Sequence, residues 1–210
     1  TELFSGVTTF RSVGGIENYD TWIRDLILSG KATGPRILAA NMAISVPGGH
    51  MAGSLAYEAT TPREAAEYVR KIAEDKPNLI KLMITGGVLD ATVKGEPGVL
   101  KMEPDMVKSA CDEAHRLGFH VAAHVESPQG MQVALENGVD TVEHGAKPTA
   151  EILRLFREQG AVHVATLSPA LPYALFDPAI SHVTEMERYN GEIVFHGIIE
   201  CAKQCLANDI

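Results

Sequence analysis

The sequence predicts an α/β fold in which a parallel sheet is covered by helices, and three observations carry that expectation. Six short apolar or β-branched runs alternate with six longer segments whose apolar residues recur at three- and four-residue spacing. The junctions between them hold residues that start and stop helices. The chain is also long and apolar enough to bury one core, with 210 residues, 45% hydrophobic and 21% charged. Repeated strand–helix alternation implies either a doubly wound sheet or part of an eight-fold (β/α) barrel, and periodicity does not separate the two.

Taken in order, the strands are expected at Val7 to Val13, Arg36 to Ile44, Leu79 to Gly86, His120 to Glu126, Thr141 to Gly145 and Val162 to Ser168. The helices between and after them are expected at Tyr19 to Leu28, Pro62 to Asp75, Pro104 to Leu117, Pro128 to Glu136, Ala150 to Gln159 and Gly191 to Ala207. Thr61-Pro62-Arg63-Glu64 supplies an N-cap hydroxyl, a proline in the first turn and an acid at the third position. Ser127-Pro128 repeats that start, while Gly118, Gly138 and Gly160 supply stops. Long connections remain at Ser45 to Thr61, Val88 to Glu103 and Pro169 to Asn190. In either architecture ligands gather at the C-terminal ends of the strands, so these loops and strand ends are where a site belongs.

Composition narrows the function. A formal charge of −9 argues against a nucleic-acid partner, which would draw on clustered Lys and Arg, and favours a small-molecule substrate. No run approaches the ~20 apolar residues of a membrane span, and Thr1-Glu2-Leu3-Phe4 lacks the basic start of a signal peptide, so a cytoplasmic protein with no membrane partner is expected. The three cysteines, Cys111, Cys201 and Cys205, do not read as a secreted disulfide framework. Cys201 and Cys205 share a helix face at i, i+4. With no further soft ligand nearby in sequence, a buried apolar role is expected for them rather than zinc binding.

Three polar residues fall where a strand buried on both faces should be apolar: Lys81 within Leu79-Ile80-Lys81-Leu82-Met83-Ile84, His124 after Val121-Ala122-Ala123, and His144 after Thr141-Val142-Glu143. A buried ammonium must be paired, neutralised or chemically altered. Lys81 could pair with Glu126 or Glu143, or serve as a Schiff-base lysine of lowered pKa. A single strand-end histidine is more often a hydrogen-bonded structural residue than a ligand. The conjunction of all three on successive strands favours a metal site.

Those residues stand in an ordered series: Gly6-Val7-Thr8-Thr9-Phe10-Arg11-Ser12-Val13-Gly14-Gly15, then Gly34-Pro35-Arg36-Ile37-Leu38, Gly48-Gly49-His50, Ile80-Lys81 with Thr85-Gly86-Gly87, Glu113-Ala114-His115 leading to Ala123-His124, and Gly138-Val139-Asp140-Thr141-Val142-Glu143-His144-Gly145. To about Pro169 the series resembles the amidohydrolase superfamily, in its imidazolonepropionase-related and Xaa-Pro or Xaa-Arg dipeptidase branch. The resemblance implies a partial TIM (β/α)8 barrel of about six β/α units, forming a single incomplete catalytic domain over residues 1–210. It implies metal-dependent hydrolysis of an amide or cyclic-amide C–N bond, with one or two divalent metals, zinc by default, and a small amide or dipeptide substrate.

Position by position, Lys81 matches the fourth-strand lysine that carbon dioxide converts to a metal-bridging carbamate in binuclear members. His124 and His144 match the fifth- and sixth-strand histidines that hold the second metal. In a one-metal, imidazolonepropionase-like member Lys81 would stay unmodified. His50 and Tyr173 look like substrate-contacting positions, although a loop His or Tyr is more often simply solvated or packed.

The family's first-strand His-x-His pair, its eighth-strand Asp and its β-sandwich have no counterpart here. The resemblance therefore implies a fragment lacking the first and eighth barrel strands, inactive or nearly so alone, with exposed sheet edges that favour a homo-oligomer. Two rivals stay open: a non-catalytic remnant or interaction module, and a Schiff-base lyase using Lys81.

Overall fold

The computed structural model describes residues 2–168 and 182–210. After a 3-10 turn at Glu2–Ser5, the strands are β1 (Thr9–Arg11), β2 (Arg36–Leu38), β3 (Ala43–Ser45), β4 (Ala56–Glu58), β5 (Leu79–Met83), β6 (His120–Val125), β7 (Thr141–His144) and β8 (Val162–Val164). The helices are α1 (Tyr19–Leu28), α2 (Pro62–Ala73), α3 (Pro104–Arg116), α4 (Pro128–Glu136), α5 (Ala150–Gln159) and α6 (Glu185–Leu206). All strand pairs in the two sheets are parallel, β1 with β2 and, in the larger sheet, in the order β4-β3-β5-β6-β7-β8. The architecture is a partial (β/α) barrel.

Strand alternation decides which side chains face inward. On and just past β5, Ile80, Leu82 and Ile84 join the main core with Val121, Ala123 and Val125 of β6 and Val142 of β7, packed against the apolar faces of α2 to α5. The opposite set, Leu79, Lys81 and Met83 with Ala122 and His124, faces the barrel interior, where Leu79 and Ala122 pack with Ala40. The interior is bridged from β1 to β7 by Arg11, which donates to Thr141 Oγ1 at 3.0 Å and to Glu143 Oε1 at 2.7 Å.

Helix starts follow the residues that signalled them. Thr61, Ser127 and Thr149 each accept a hydrogen bond from the backbone three residues on, and Thr184 with Glu187 closes a reciprocal capping box. Gly160 ends α5 at φ 64.

Three expectations are revised. The single strand at Arg36 to Ile44 is two, because Asn41 at φ 63 breaks the extended backbone; β2 pairs with β1, and β3 turns to pair with β4 and β5. The loop Ser45 to Thr61 contains β4, too short to show a pattern in sequence. The last helix starts at Glu185, six residues before Gly191, on its capping box. No helix among the described residues is long and apolar enough to cross a membrane.

Candidate metal centre

β6 and β7 deliver the candidate ligands at their C-terminal ends. Their register sets His124 opposite Glu143 and Val125 opposite His144. Alternation alone would send His144 outward with Val142, but its φ of 69 ends the strand, and its ring meets that of His124 edge-on at 4.7 Å. Glu126, two residues past His124 and so on the same face, completes the group. One donor atom each from His124, Glu126 and His144 lie within 4.8 Å of one another. Backbone anchors hold the group: Glu126 N donates to Thr85 Oγ1 at 3.0 Å, and His124 Nε2 lies 3.2 Å from the carbonyl oxygen of Gly86.

His50 stacks on His124, with ring centroids 4.1 Å apart and planes inclined by 8°. Its Nδ1 lies 2.5 Å from Asp90 Oδ1, and the backbone of Gly87 donates to both carboxylate oxygens. A side chain at Gly87 would bring a Cβ within 2.9 Å of the His50 ring, so glycine keeps the stack open. His144 Nδ1 is 2.5 Å from Thr166 Oγ1. A cavity of about 160 Å3 opens on His50, His124, Glu126 and His144 and is roofed by the apolar side chains of Val88, Val194 and Ile198.

The electrostatics describe a dry site arranged for cations. Burial, then His144, His50 and Lys81, hold His124 well below the ordinary imidazole range. Burial, then Lys81, His50 and His163, push His144 down to about 3. Both rings are thus neutral at pH 7, the state that binds metal. Burial, reinforced by Asp90, pushes Glu126 up to about 8, and its Oε2 is buried with no hydrogen-bond partner. A buried carboxyl oxygen without a hydrogen-bond partner, on a group clustered with two neutral imidazoles, is an arrangement a cation repairs. Donors of a tetrahedral ion with bonds of about 2.0–2.2 Å stand roughly 3.3–3.6 Å apart, so three donors within 4.8 Å of one another close on an ion by side-chain adjustments of up to about 1.5 Å. The residues present fit a divalent cation.

Lys81 is 2% exposed, and its charge lowers both histidines. Burial pushes it down to about 7, with Glu143 opposing and Arg11 assisting. Neither carboxylate considered for it in the sequence forms an ion pair with it: Glu143 is taken by Arg11 at 2.7 Å, and Glu126 faces the histidines. Tyr173 lies outside the described residues. Glu126 and Asp90 are site residues not singled out for those roles from sequence. The His124-Val125-Glu126 spacing on a predicted strand could have found the first, while the 40 residues between His50 and Asp90 carry no pattern.

The sequence profile described as the Amidohydrolase family matches residues 1–163. The chain belongs to the amidohydrolase family. Among curated members it is 27% identical to an ochratoxinase of Aspergillus niger over 192 residues, covering 79% of this chain and 38% of that protein. Among solved amidohydrolase structures, a candidate prolidase of Bifidobacterium longum superposes with a TM-score of 0.89 at 34% identity, over 100% of this chain and 52% of that one. A Xaa-Pro dipeptidase with methionine bound in its active site superposes with a TM-score of 0.83 at 29% identity, over 97% of this chain and 53% of that one. The chain therefore spans about half the length of these structures and less of the curated relative.

Proposed function

We propose that this amidohydrolase chain carries the metal-holding part of a hydrolase that cleaves an amide or cyclic-amide C–N bond, in the manner of a dipeptidase or prolidase. The convergence of His124, Glu126 and His144 above the buried Lys81 supports the reading most strongly. One or two divalent ions, zinc by default for nitrogen and oxygen donors, would be held by His124, His144 and Lys81, with Glu126 added by the geometry. Bound there, such an ion supplies a Lewis acid that polarises the scissile carbonyl and acidifies water.

Lys81 enters as a carbamate. Its neutral amine attacks carbon dioxide, an N–C bond forms, and a proton leaves to solvent, so a buried cation becomes an anionic oxygen donor. At pH 7 the neutral fraction of a lysine is roughly three in ten thousand at the ordinary value of 10.5, against about half at a value of about 7. Burial thus raises the reactive form about a thousandfold. His50, held by Asp90, orients substrate beside the histidines. A groove of about 830 Å3 leads from Glu126 between Gly98, Pro128, Tyr189 and His196, enough for a small amide or dipeptide. Tyr173 is retained as a second substrate contact. Self-association into a homo-oligomer and residence in a reducing, cytoplasmic compartment complete the proposal, the latter favoured by three free cysteines.

The same lowered Lys81 would suit a Schiff-base enzyme, but the histidine cluster then has no task. The deciding experiment measures tightly bound zinc, manganese and cobalt by mass spectrometry in the parent chain and in His124→Ala and His144→Ala, alongside borohydride trapping with a carbonyl compound. One or two equivalents of metal lost in both variants, and no trapped adduct, support the proposal. No retained metal favours a non-catalytic module, and a borohydride adduct at Lys81 favours the lyase. The chain alone is expected to bind metal with little turnover of Xaa-Pro dipeptides.

A further inference from the structure

Behind the strand end that presents His144 lies a second cluster, unrelated to the hydrolytic site by ligand type. Cys201 and Cys205 sit one turn apart on the buried face of α6, 0% and 2% exposed, with their sulfurs 3.9 Å apart. The short connection after β7 and the strand β8 bring His163 to them, so that one donor from each of the three lies within 4.8 Å of the others. The sequence reading gave the cysteine pair an apolar role for want of a third ligand. The fold supplies that ligand from 38 residues upstream of Cys201.

We propose that His163, Cys201 and Cys205 form a second, thiolate-rich site for a thiophilic divalent cation such as zinc. The spacing carries the argument. Tetrahedral zinc–sulfur bonds of about 2.3 Å place two thiolates about 3.8 Å apart, close to the separation found here. Two sulfurs bonded as a disulfide would instead stand about 2.0 Å apart, which this pair does not approach.

The surroundings are those of a ligand set. The Cys201 thiol is held above the ordinary range by its hydrogen bond to Cys205 and by burial. The Cys205 thiol is held below the ordinary range, by the hydrogen bond from Cys201 first and by His163 next, against burial. His163 Nε2 lies 2.8 Å from the carbonyl oxygen of His144, a contact that fixes the ring beside the cysteines. Gly145, at φ 80, separates this cluster from the candidate metal centre. A Cβ there would come within 2.8 Å of Cys201 Sγ and 3.0 Å of His163 Nε2, so only glycine lets the three donors approach. Three protein donors leave one coordination position open. The proposal stands independently of the hydrolytic reading.

Cobalt(II) distinguishes the two sites, because sulfur-to-cobalt charge transfer absorbs strongly in the near ultraviolet and a nitrogen–oxygen site lacks that band. The reduced full chain is titrated with cobalt(II) alone, in parallel with His124→Ala, Cys201→Ala, Cys205→Ala and His163→Gln, with far-ultraviolet circular dichroism confirming that each folds. The band is expected in the parent and in His124→Ala, with the absorbance of a single thiolate site at saturation. It should vanish in the Cys201→Ala and Cys205→Ala double variant. His163→Gln, which leaves both sulfurs in place, should retain a band but weaken cobalt binding by about tenfold or more. No thiolate band in the parent, or a band that survives loss of both cysteines, overturns the proposal. So does unchanged affinity in His163→Gln.

Discussion

Replacing Lys81 by methionine tests the central electrostatic inference, that an ammonium has been placed where water cannot reach it. The ordinary lysine value of 10.5 falls to about 7 in the fold, burial being the main cause. A base whose folded value is depressed costs nothing above pH 10.5. As pH falls from 10.5 towards 7 the unfolded chain takes up the proton more readily than the folded one, so stability declines through that window and levels off below it. At about 1.4 kcal/mol per pH unit, the loss accumulated by pH 7 is on the order of 4 kcal/mol. Methionine keeps most of the side-chain volume and removes the charge. In metal-free, carbon dioxide-depleted buffer, Lys81→Met should therefore be the more stable protein at pH 7 by about 2–4 kcal/mol. The parent should gain roughly 1 kcal/mol per unit between pH 7 and 10 relative to the variant. Urea unfolding of both proteins at half-unit steps measures this directly. If Lys81 forms the proposed carbamate, adding bicarbonate and zinc should reverse the order, because methionine cannot supply that ligand. Parallel pH profiles for parent and variant would refute the reasoning, since they would mean that Lys81 titrates in the fold as it does in the unfolded chain.

Glu126→Gln should raise metal-free stability between pH 5 and 8, because the folded carboxyl is pushed up to about 8 and its ionisation above the ordinary 4.5 costs stability; the same change should weaken zinc binding by at least roughly tenfold in calorimetric titration. Arg11→Met strips the partner from Glu143, whose side chain is 2% exposed, and should cost about 2–3 kcal/mol in urea unfolding, less than a fully buried pair because Arg11 is a quarter exposed. Adding Glu143→Gln should recover part of that loss. Gly145→Ala forces a Cβ into Cys201 and His163 at φ 80 and should lower stability by about 2 kcal/mol or more in the same assay. Thr149→Ala, which removes the cap from Ile152 N, should cost about 1 kcal/mol.

Strand alternation was legible wherever apolar residues continued on the other face. Ile80, Leu82 and Ile84 face the helices, which sends Lys81 inward with no further information, and Val121 and Ala123 do the same for His124. The rule applied to Glu126 puts it beside His124, yet a neighbouring buried lysine made an ion pair the simpler reading until the register was known. His144 obeys no such rule: its ring reaches His124 only because the backbone adopts φ 69, a conformation that residue type does not announce. Asn41 similarly divides one apolar run into β2 and β3, where hydrophobicity alone shows no break. Asp90, and His163 beside the cysteines, are placed by loop closure over tens of residues, a tertiary outcome with no local period.

The register between β6 and β7 has a consequence for how such a protein can change over evolutionary time. The spacing between the two strands that carry His124 and His144 is set by main-chain hydrogen bonds, which are indifferent to side-chain identity. Much of the surrounding wall comes from elsewhere, from the loop between Val88 and Glu103 and from α6, beside the residues that follow β6 and β7 themselves. Mutation in that loop or in α6 can therefore reshape the cavity without disturbing the pair of imidazoles. A lineage built this way can alter the shape of its cavity by drifting in its loops while the strand-borne histidines stay in place.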